Sequence, residues 1–456
     1  MAPIREVGLE GGAMATMVGE TPSRASTQRR AIIAGIAGNV MEWYDFSVYG
    51  YFATIIGRHF FPAQDAVSSL IAAFGVFAAG FAMRPLGSLI FGHIGDKRGR
   101  KLALTSSVMV MAVPTFLIGI LPTYEQVGRL APILLVLLRL VQGLSVGGEY
   151  TTSSIFLVER AVTGRRGFLG SFVPLGATCG VLLGSMAGAV VTTILDHGAV
   201  DSWGWRLAFL LGLLVGGIGF VIRRQLADDR AAPGGVAPAS SPVRDAFRSQ
   251  WRTILRVVGL NAAGAVAYYM SFVYVTTYLR QIDFIAASKA LDINTIAVLA
   301  LALTIVPMGM LSDRIGRRPV LLAATGGLFV LALPLFWMLH HTDAAIILIG
   351  QIGFALLNAA YWGPSTATMV ELVPGHIRCT VMSVGYNLGL AILGGATPLV
   401  AVYVVQRSGD DLSPAFLIMA AAAVSFCVIL GLRESNKAIL APPVRQPAAR
   451  TADNAD

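Results

Sequence analysis

Gly92-His93-Ile94-Gly95-Asp96-Lys97-Arg98-Gly99-Arg100-Lys101 is a short, strongly basic turn between two long apolar runs. A related stretch returns as Gly309-Met310-Leu311-Ser312-Asp313-Arg314-Ile315-Gly316-Arg317-Arg318. Gly92 matches Gly309, Asp96 matches Asp313, Gly99 matches Gly316, and a basic pair follows each time, at an offset of 217 residues. A self-match at one long offset reads as a chain of two similar halves. The glycines permit tight reversal and close approach. The carboxylate is placed to cap a helix or pair with Arg, and the basic cluster holds the loop on the cytoplasmic side of a bilayer.

Composition agrees with a membrane setting. Of 456 residues 55% are hydrophobic and 13% charged, with a mean hydropathy of +0.70. A soluble domain is nearer a quarter charged. The 50 glycines suit helices packed through small side chains. The net charge of +9 does not point to nucleic acid, because the basic residues sit in loops between apolar spans. Cys179, Cys379 and Cys427 lie far apart and suggest neither a disulfide framework nor a metal site. The six histidines fall in loops or at span ends, none at metal-ligand spacing.

Apolar runs near the twenty residues needed to cross a bilayer fall at 31–56, 66–92, 102–121, 131–157, 167–194 and 204–223. Six more follow at 253–279, 291–311, 319–339, 344–370, 378–405 and 414–432. The expected fold is therefore an all-α polytopic membrane protein, twelve transmembrane helices in two pseudo-symmetric six-helix bundles. Residues 1–30 read as an N-terminal tail, 31–224 as the first bundle and 225–250, rich in Ala, Pro, Ser and Arg, as a linker. Residues 251–436 read as the second bundle and 437–456 as a tail without heptads, so no coiled coil is expected there. Lys97, Arg98, Arg100, Lys101, Arg165, Arg166, Arg223, Arg224, Arg314, Arg317 and Arg318 share a side with Arg29 and Arg30, whereas the opposite loops hold few basic residues. The positive-inside rule then puts both termini in the cytoplasm.

A charge within a span costs about 2.5–3.5 kcal/mol on insertion scales, which makes each one a functional candidate. The first span carries Asn39, Glu42, Asp45 and Tyr49, the last three at i, i+3 and i+7 on one helical face. At 1.5 Å per residue Glu42 lies roughly 16 Å in from the cytoplasmic end. Two carboxylates one turn apart repel and lose solvation, so the pair is expected to handle a proton. The expected partners are Arg84 in the second span and Arg139 in the fourth, whose planar guanidinium forks suit a carboxylate. Shifted by 217, Glu42, Asp45, Arg84 and Arg139 land on Gly259, Ala262, Leu301 and Leu356. Charge handling is thus expected to be concentrated in the first half. The second half offers Tyr268, Tyr269, Asn358, Tyr361 and Trp362, fit to enclose a solute or stack on a quaternary ammonium.

Another echo joins the halves. Glu159 precedes Arg166 by seven residues, and Glu371 precedes Arg378 by seven. With Asp96, Arg100, Asp313 and Arg317 these are expected to form a cytoplasmic charge cluster in each half that latches the inner face as the halves rock. Glu149, at the end of the fourth span, is expected to join the gating set.

The duplicated G-x-x-x-D-x-x-G-[RK]-[RK] loop resembles the signature of the major facilitator superfamily. Arg139-Leu140-Val141-Gln142-Gly143 resembles its fourth-helix signature, which implies proton coupling through Arg139. Gly38-Asn39-Val40-Met41-Glu42-Trp43-Tyr44-Asp45-Phe46, Arg84-Pro85-Leu86-Gly87, Gln142-Gly143-Leu144-Ser145-Val146-Gly147-Gly148-Glu149-Tyr150 and Trp203-Gly204-Trp205-Arg206 together resemble the bacterial metabolite:proton symporter family over about 30–435. The resemblance implies a multi-pass carrier that works as a monomer in the bacterial inner membrane, moving a proton and a small carboxylate-bearing solute without further cofactor. Proline, glycine betaine, citrate and α-ketoglutarate are such solutes. The fifth span lacks the Gly-Pro pair of the superfamily's antiporters, which favours a symporter. A non-coupled facilitator and a membrane sensor on the same fold are the alternatives. With no nucleophile–base pair or metal cluster, an enzyme is not expected.

Overall fold

A computed structural model describes residues 24–63, 65–98, 100–224, 242–281 and 285–435, and the account below concerns those. Among them are α1 (Arg24–Tyr51), α2 (Ala66–Ser88), α3 (Arg100–Ile120), α4 (Leu130–Glu159), α5 (Arg166–Ile194) and α6 (His197–Ile222). The second set is α7 (Arg248–Gln281), α8 (Ala287–Ile315), α9 (Arg317–Leu339), α10 (Ala344–Leu372), α11 (Arg378–Ser408) and α12 (Ser413–Leu430). Ten of these twelve meet the length and hydropathy of a membrane span. The other two, α1 and α3, pack among them and complete the bundles. Helix formation starts at Arg24 ahead of the first span and at Pro242 ahead of the seventh, with non-helical backbone at Gln250. Most of the linker and all of the tail beyond Ser435 lie outside the described residues.

The packing repeats with the sequence. In the first half α1 lies against α5 and α6, α3 against α4 and α6, and α2 against α4. In the second, α7 lies against α11 and α12, α9 against α10 and α12, and α8 against α10. Each pair recurs six helices later. The two bundles meet chiefly through α5 against α8 and α2 against α11, which are themselves exchanged by the same pseudo-symmetry.

Two local breaks aim the charged side chains. Pro85 has no N–H to give the carbonyl four residues back, and the helix of α2 turns at Met83 before restarting at Arg84. In α4 the Gly147-Gly148 pair interrupts the helix before Glu149. Next to these breaks α2 and α4 cross with their backbones in contact. A Cβ on Gly87 would stand 1.8 Å from the Leu144 carbonyl oxygen, and one on Gly143 would stand 2.0 Å from that of Gly80. Only glycine permits this approach, and the approach brings Arg84 and Arg139 to the same side of α1. In the second half the helices widen to π-helical turns at Met270–Tyr274 and Leu390–Gly394, the first directly after Tyr268 and Tyr269.

Candidate functional site

Asp45 is fully buried and enclosed by donors. Arg139 Nη1 donates to its Oδ2 at 2.6 Å, and Gln142 Nε2 donates to its Oδ1 at 2.7 Å. Thr115 Oγ1 stands 2.8 Å from the same Oδ1 and 2.8 Å from the Met111 carbonyl, its one hydrogen serving either, while it accepts from Gln142 at 2.9 Å. Arg139 also donates to Gln142 Oε1 at 2.8 Å, closing a ring of three spans. Its guanidinium lies over the Tyr49 ring at 4.3 Å and the Phe46 ring at 5.0 Å. Tyr49 therefore faces Arg139, and its hydroxyl donates to the Ala73 carbonyl at 3.0 Å.

Glu42 belongs to a second pair. Arg84 Nη2 donates to its Oε1 at 2.5 Å. Arg84 Nε donates to Asn387 Oδ1 at 3.3 Å, across the bundle boundary, and Asn387 in turn donates to the Gly147 carbonyl of α4. Phe46 separates the pairs, with the Arg84 guanidinium 5.8 Å from its ring and 5.0 Å from that of Phe81. One helical face thus serves two arginines. The environments differ in one further respect: Glu42 borders a cavity of about 10 Å³ shared with Ser107, Ser145 and Glu149, and Asp45 does not. A space of that size admits a single water. Glu149, expected in the gating set, is accordingly placed on the wall of this cavity.

Beside Arg84 the two bundles meet through aromatic rings. Trp43 packs edge-on to Tyr268 at 5.4 Å and stacks on Tyr269 at 5.9 Å. Tyr269 meets Phe81 at 5.4 Å, Tyr268 meets Trp362 at 6.3 Å, and Tyr150 stacks on Tyr386 at 4.3 Å. Tyr269 and Tyr386 both lie within electrostatic reach of Arg84 and Glu42. No described residue accepts a hydrogen bond from Trp43 Nε1, Trp362 Nε1, the Tyr269 hydroxyl or Arg84 Nη1, all of them buried. Buried donors are rarely left so. All four belong to residues at or beside the boundary between the bundles.

Two other expected residues, Tyr361 and Asn358, are bonded within the second bundle. Tyr361 donates to the Leu260 carbonyl inside the second bundle, although its ring flanks Trp362 at 5.5 Å. Asn358 donates back to the Phe354 carbonyl at 2.9 Å, and Asn39 is buried in α1 one turn before Glu42. Sequence reasoning passed over Thr115 and Tyr386, and Thr115 carries no signal at all in the chain; Asn387 is legible there only as one of several neutral polar groups of the second half. Gln142 and Trp43 were visible only as parts of longer strings.

The cytoplasmic cluster departs from expectation. Two of its pairs run between the bundles, and two lie within the second. Glu159 of α4 pairs with Arg378 of α11, and Arg166 of α5 stands 3.6 Å from Glu371 of α10. Glu371 also lies 3.5 Å from Arg317, which pairs with Asp313 at 2.8 Å. Asp313 accepts from the Gly167 and Phe168 amides at 2.9 and 2.7 Å, so a carboxylate of one bundle caps a helix of the other. The side chains of Asp96 and Arg100 lie outside the described residues.

Residues 30–228 match the family described as Sugar (and other) transporter, and residues 285–452 match the Major Facilitator Superfamily. The chain is 36% identical over 420 residues to the glycine betaine/proline/ectoine/pipecolic acid transporter OusA of Dickeya dadantii (strain 3937), covering 89% of this chain and 83% of that one. It is 35% identical over 420 residues to the proline/betaine transporter of Escherichia coli (strain K12), covering 89% and 84%. The chain belongs to the metabolite:proton symporter family of the major facilitator superfamily. It is a multi-pass membrane transporter and not an enzyme. The fold matches that of the proton:xylose symporter XylE with a TM-score of 0.71 at 15% identity, covering 91% of this chain and 98% of that one. This family member therefore carries its two buried ion pairs and its aromatic interface within a known transporter architecture.

Proposed function

We propose that this transporter couples inward proton movement to uptake of a small zwitterion bearing a carboxylate and a substituted ammonium, of the proline and glycine betaine class, across the bacterial inner membrane. The observation that carries the reading is Arg84: a buried guanidinium with one donor on Glu42, one on Asn387 and one, Nη1, without an acceptor, beside Trp43 and Tyr269. A solute carboxylate replaces Glu42 on Arg84, which offers the bidentate geometry that guanidinium and carboxylate share. The displaced Glu42 loses its counter-charge in an apolar site and takes a proton. The ring faces of Trp43, Tyr268, Tyr269 and Trp362 receive the ammonium. The relatives named for proline and betaine transport support this choice of solute.

Glu42, not Asp45, carries the proton. A proton on Asp45 has to displace Arg139, Gln142 or Thr115, whereas Glu42 meets a water-sized space. Asp45 and Arg139 form the fixed brace of this coupling set. The two bundles, 31–224 and 251–436, joined by the 225–250 linker, rock about this centre in a monomer with both termini in the cytoplasm, and Glu159, Arg166, Asp313, Arg317, Glu371 and Arg378 hold the inner face shut. Glu42→Gln tests the assignment in vesicles. It is expected to abolish pH-driven accumulation of glycine betaine while preserving counterflow, since exchange needs no net proton movement. Full accumulation by the variant removes Glu42 from coupling. Loss of both activities by a folded variant moves it to the solute site.

A further inference from the structure

The face opposite the Arg166–Glu371 cluster holds a second feature, remote from the ion pairs. A cavity of about 440 Å³ opens between the bundles, lined among others by Arg58, Thr192, His197, Asp201 and Arg280. That volume is in the range of small-molecule sites. Its charges are unevenly matched. Arg58 pairs with Asp201, and His59 Nε2 is 2.7 Å from the Asp201 carbonyl oxygen, which fixes that wall on the first bundle. Arg280, at the end of α7 in the second bundle, is half-buried and forms no hydrogen bond or ion pair with any described residue. The charges it senses are Arg58, which repels it, and Asp201, already engaged. Among the described lining residues the two guanidinium groups, Arg58 and Arg280, face the single carboxylate of Asp201, so one positive charge is left over, presented on a fork of donors.

We infer that this cavity is an outer binding site for the carboxylate of an arriving solute, held by Arg280 with Arg58 before it reaches Arg84. A guanidinium recognises carboxylates by paired N–H···O contacts, and a cationic mouth raises the local concentration of the group it attracts. The Arg58–Asp201 pair keeps the site from being a mere excess of charge, because it leaves Arg280 as the free donor. Placing the cavity at the outer face rests on the orientation proposed above; the carboxylate chemistry does not.

Thr192 provides a reporter on the cavity wall. In intact cells, Thr192→Cys is labelled with a membrane-impermeant thiol reagent, the parent protein giving the background. Acetate, glycine betaine and choline are then tested for protection. Acetate and glycine betaine are expected to slow labelling by about two- to fivefold, the range a partly exposed ion pair supplies, and choline, which lacks the carboxylate, is expected not to. Protection should vanish in Arg280→Gln and persist in Arg280→Lys. It should also persist in Arg84→Gln, where the central site is disabled. Loss of protection in Arg84→Gln means that labelling reported a conformational change driven from the centre, and overturns the outer site. Equal protection by choline, or protection that survives Arg280→Gln, overturns it as well. A chain that fails to accumulate betaine or proline but still shows acetate protection contradicts the proposed function and leaves the outer site standing.

Discussion

Trp43 shows how much a single side chain can decide at this interface. Its indole stacks on Tyr269 and meets Tyr268 edge-on, joining the first bundle to the second beside Arg84. Glycine betaine has no N–H to donate, so its ammonium depends on ring faces alone, whereas proline retains two N–H bonds for hydrogen bonding. A cation over an aromatic face contributes about 0.5–2 kcal/mol. Trp43→Ala is therefore expected to raise the half-saturation for glycine betaine by about two- to thirtyfold and that for proline less, measured as concentration-dependent uptake in the same cells. A rise of equal size for both solutes would show that the indole shapes the bundle interface without touching the ammonium. The neighbouring pair has a different signature. Asp45→Asn leaves Arg139 buried against a neutral partner, a loss of about 3–5 kcal/mol. It is expected to lower thermal stability and transport together, whereas Glu42→Gln separates accumulation from counterflow. The sequence allowed both arginines to be assigned to the two carboxylates, because a buried charge in a bilayer must find a partner. It did not allow each to be assigned to one carboxylate. Glu42 and Asp45 share a helical face, and only the position of Phe46 between them sorts the pairs.

At the scale of the helix, the crossing of α2 with α4 sets the distance between those pairs. The backbones touch where Gly87 meets Leu144 and Gly143 meets Gly80. Gly143→Ala places a methyl group 2.0 Å from a carbonyl oxygen, which cannot move without its helix. The helices must separate, carrying Arg139 away from Asp45 and Arg84 away from Glu42. The variant is expected to lose most transport and to melt at lower temperature, by thermal shift in detergent, while Gly148→Ala, with nothing within 4 Å of its Cβ, is expected to behave as the parent does. Most helix limits were legible from hydropathy, since a twenty-residue apolar run in a bilayer has few other solutions. The breaks were less so. Pro85 announces its own, but the π-helical turns after Tyr269 and Gly389 carry no proline or other local marker.

For the whole molecule, the duplicated charges form ion pairs across the boundary between the bundles. Glu159 with Arg166 and Glu371 with Arg378 share a seven-residue spacing, and the spacing alone is satisfied equally by pairing within a bundle or between bundles. The fold selects the second. Contacts within a bundle persist through a rigid-body motion and cannot sense it, whereas Glu159–Arg378 and Arg166–Glu371 must break when the inner face opens. Asp313 adds a directional element, because its carboxylate caps the start of α5 from the opposite bundle through the Gly167 and Phe168 amides. A helix cap contributes about 0.5–2 kcal/mol, and a shift of one or two kcal/mol changes a two-state ratio by a factor of about 5–30. Asp313→Asn keeps an oxygen for one amide but gives up its charge toward Arg317 and the helix terminus. It is expected to move the population toward the inward-open form and to slow the cycle while leaving the central site intact. Ser383, whose hydroxyl stands 2.9 Å from that of Thr151 across the same boundary, offers the measurement. Labelling of Ser383→Cys from the cytoplasmic side, in a background with Cys379 replaced, should accelerate about fivefold or more when Asp313→Asn is added, with equilibrium binding of glycine betaine changed by no more than about twofold. Unchanged labelling would mean that the cap holds α5 in place without holding the face closed, and the latch would then rest on the crossed arginine–glutamate pairs alone.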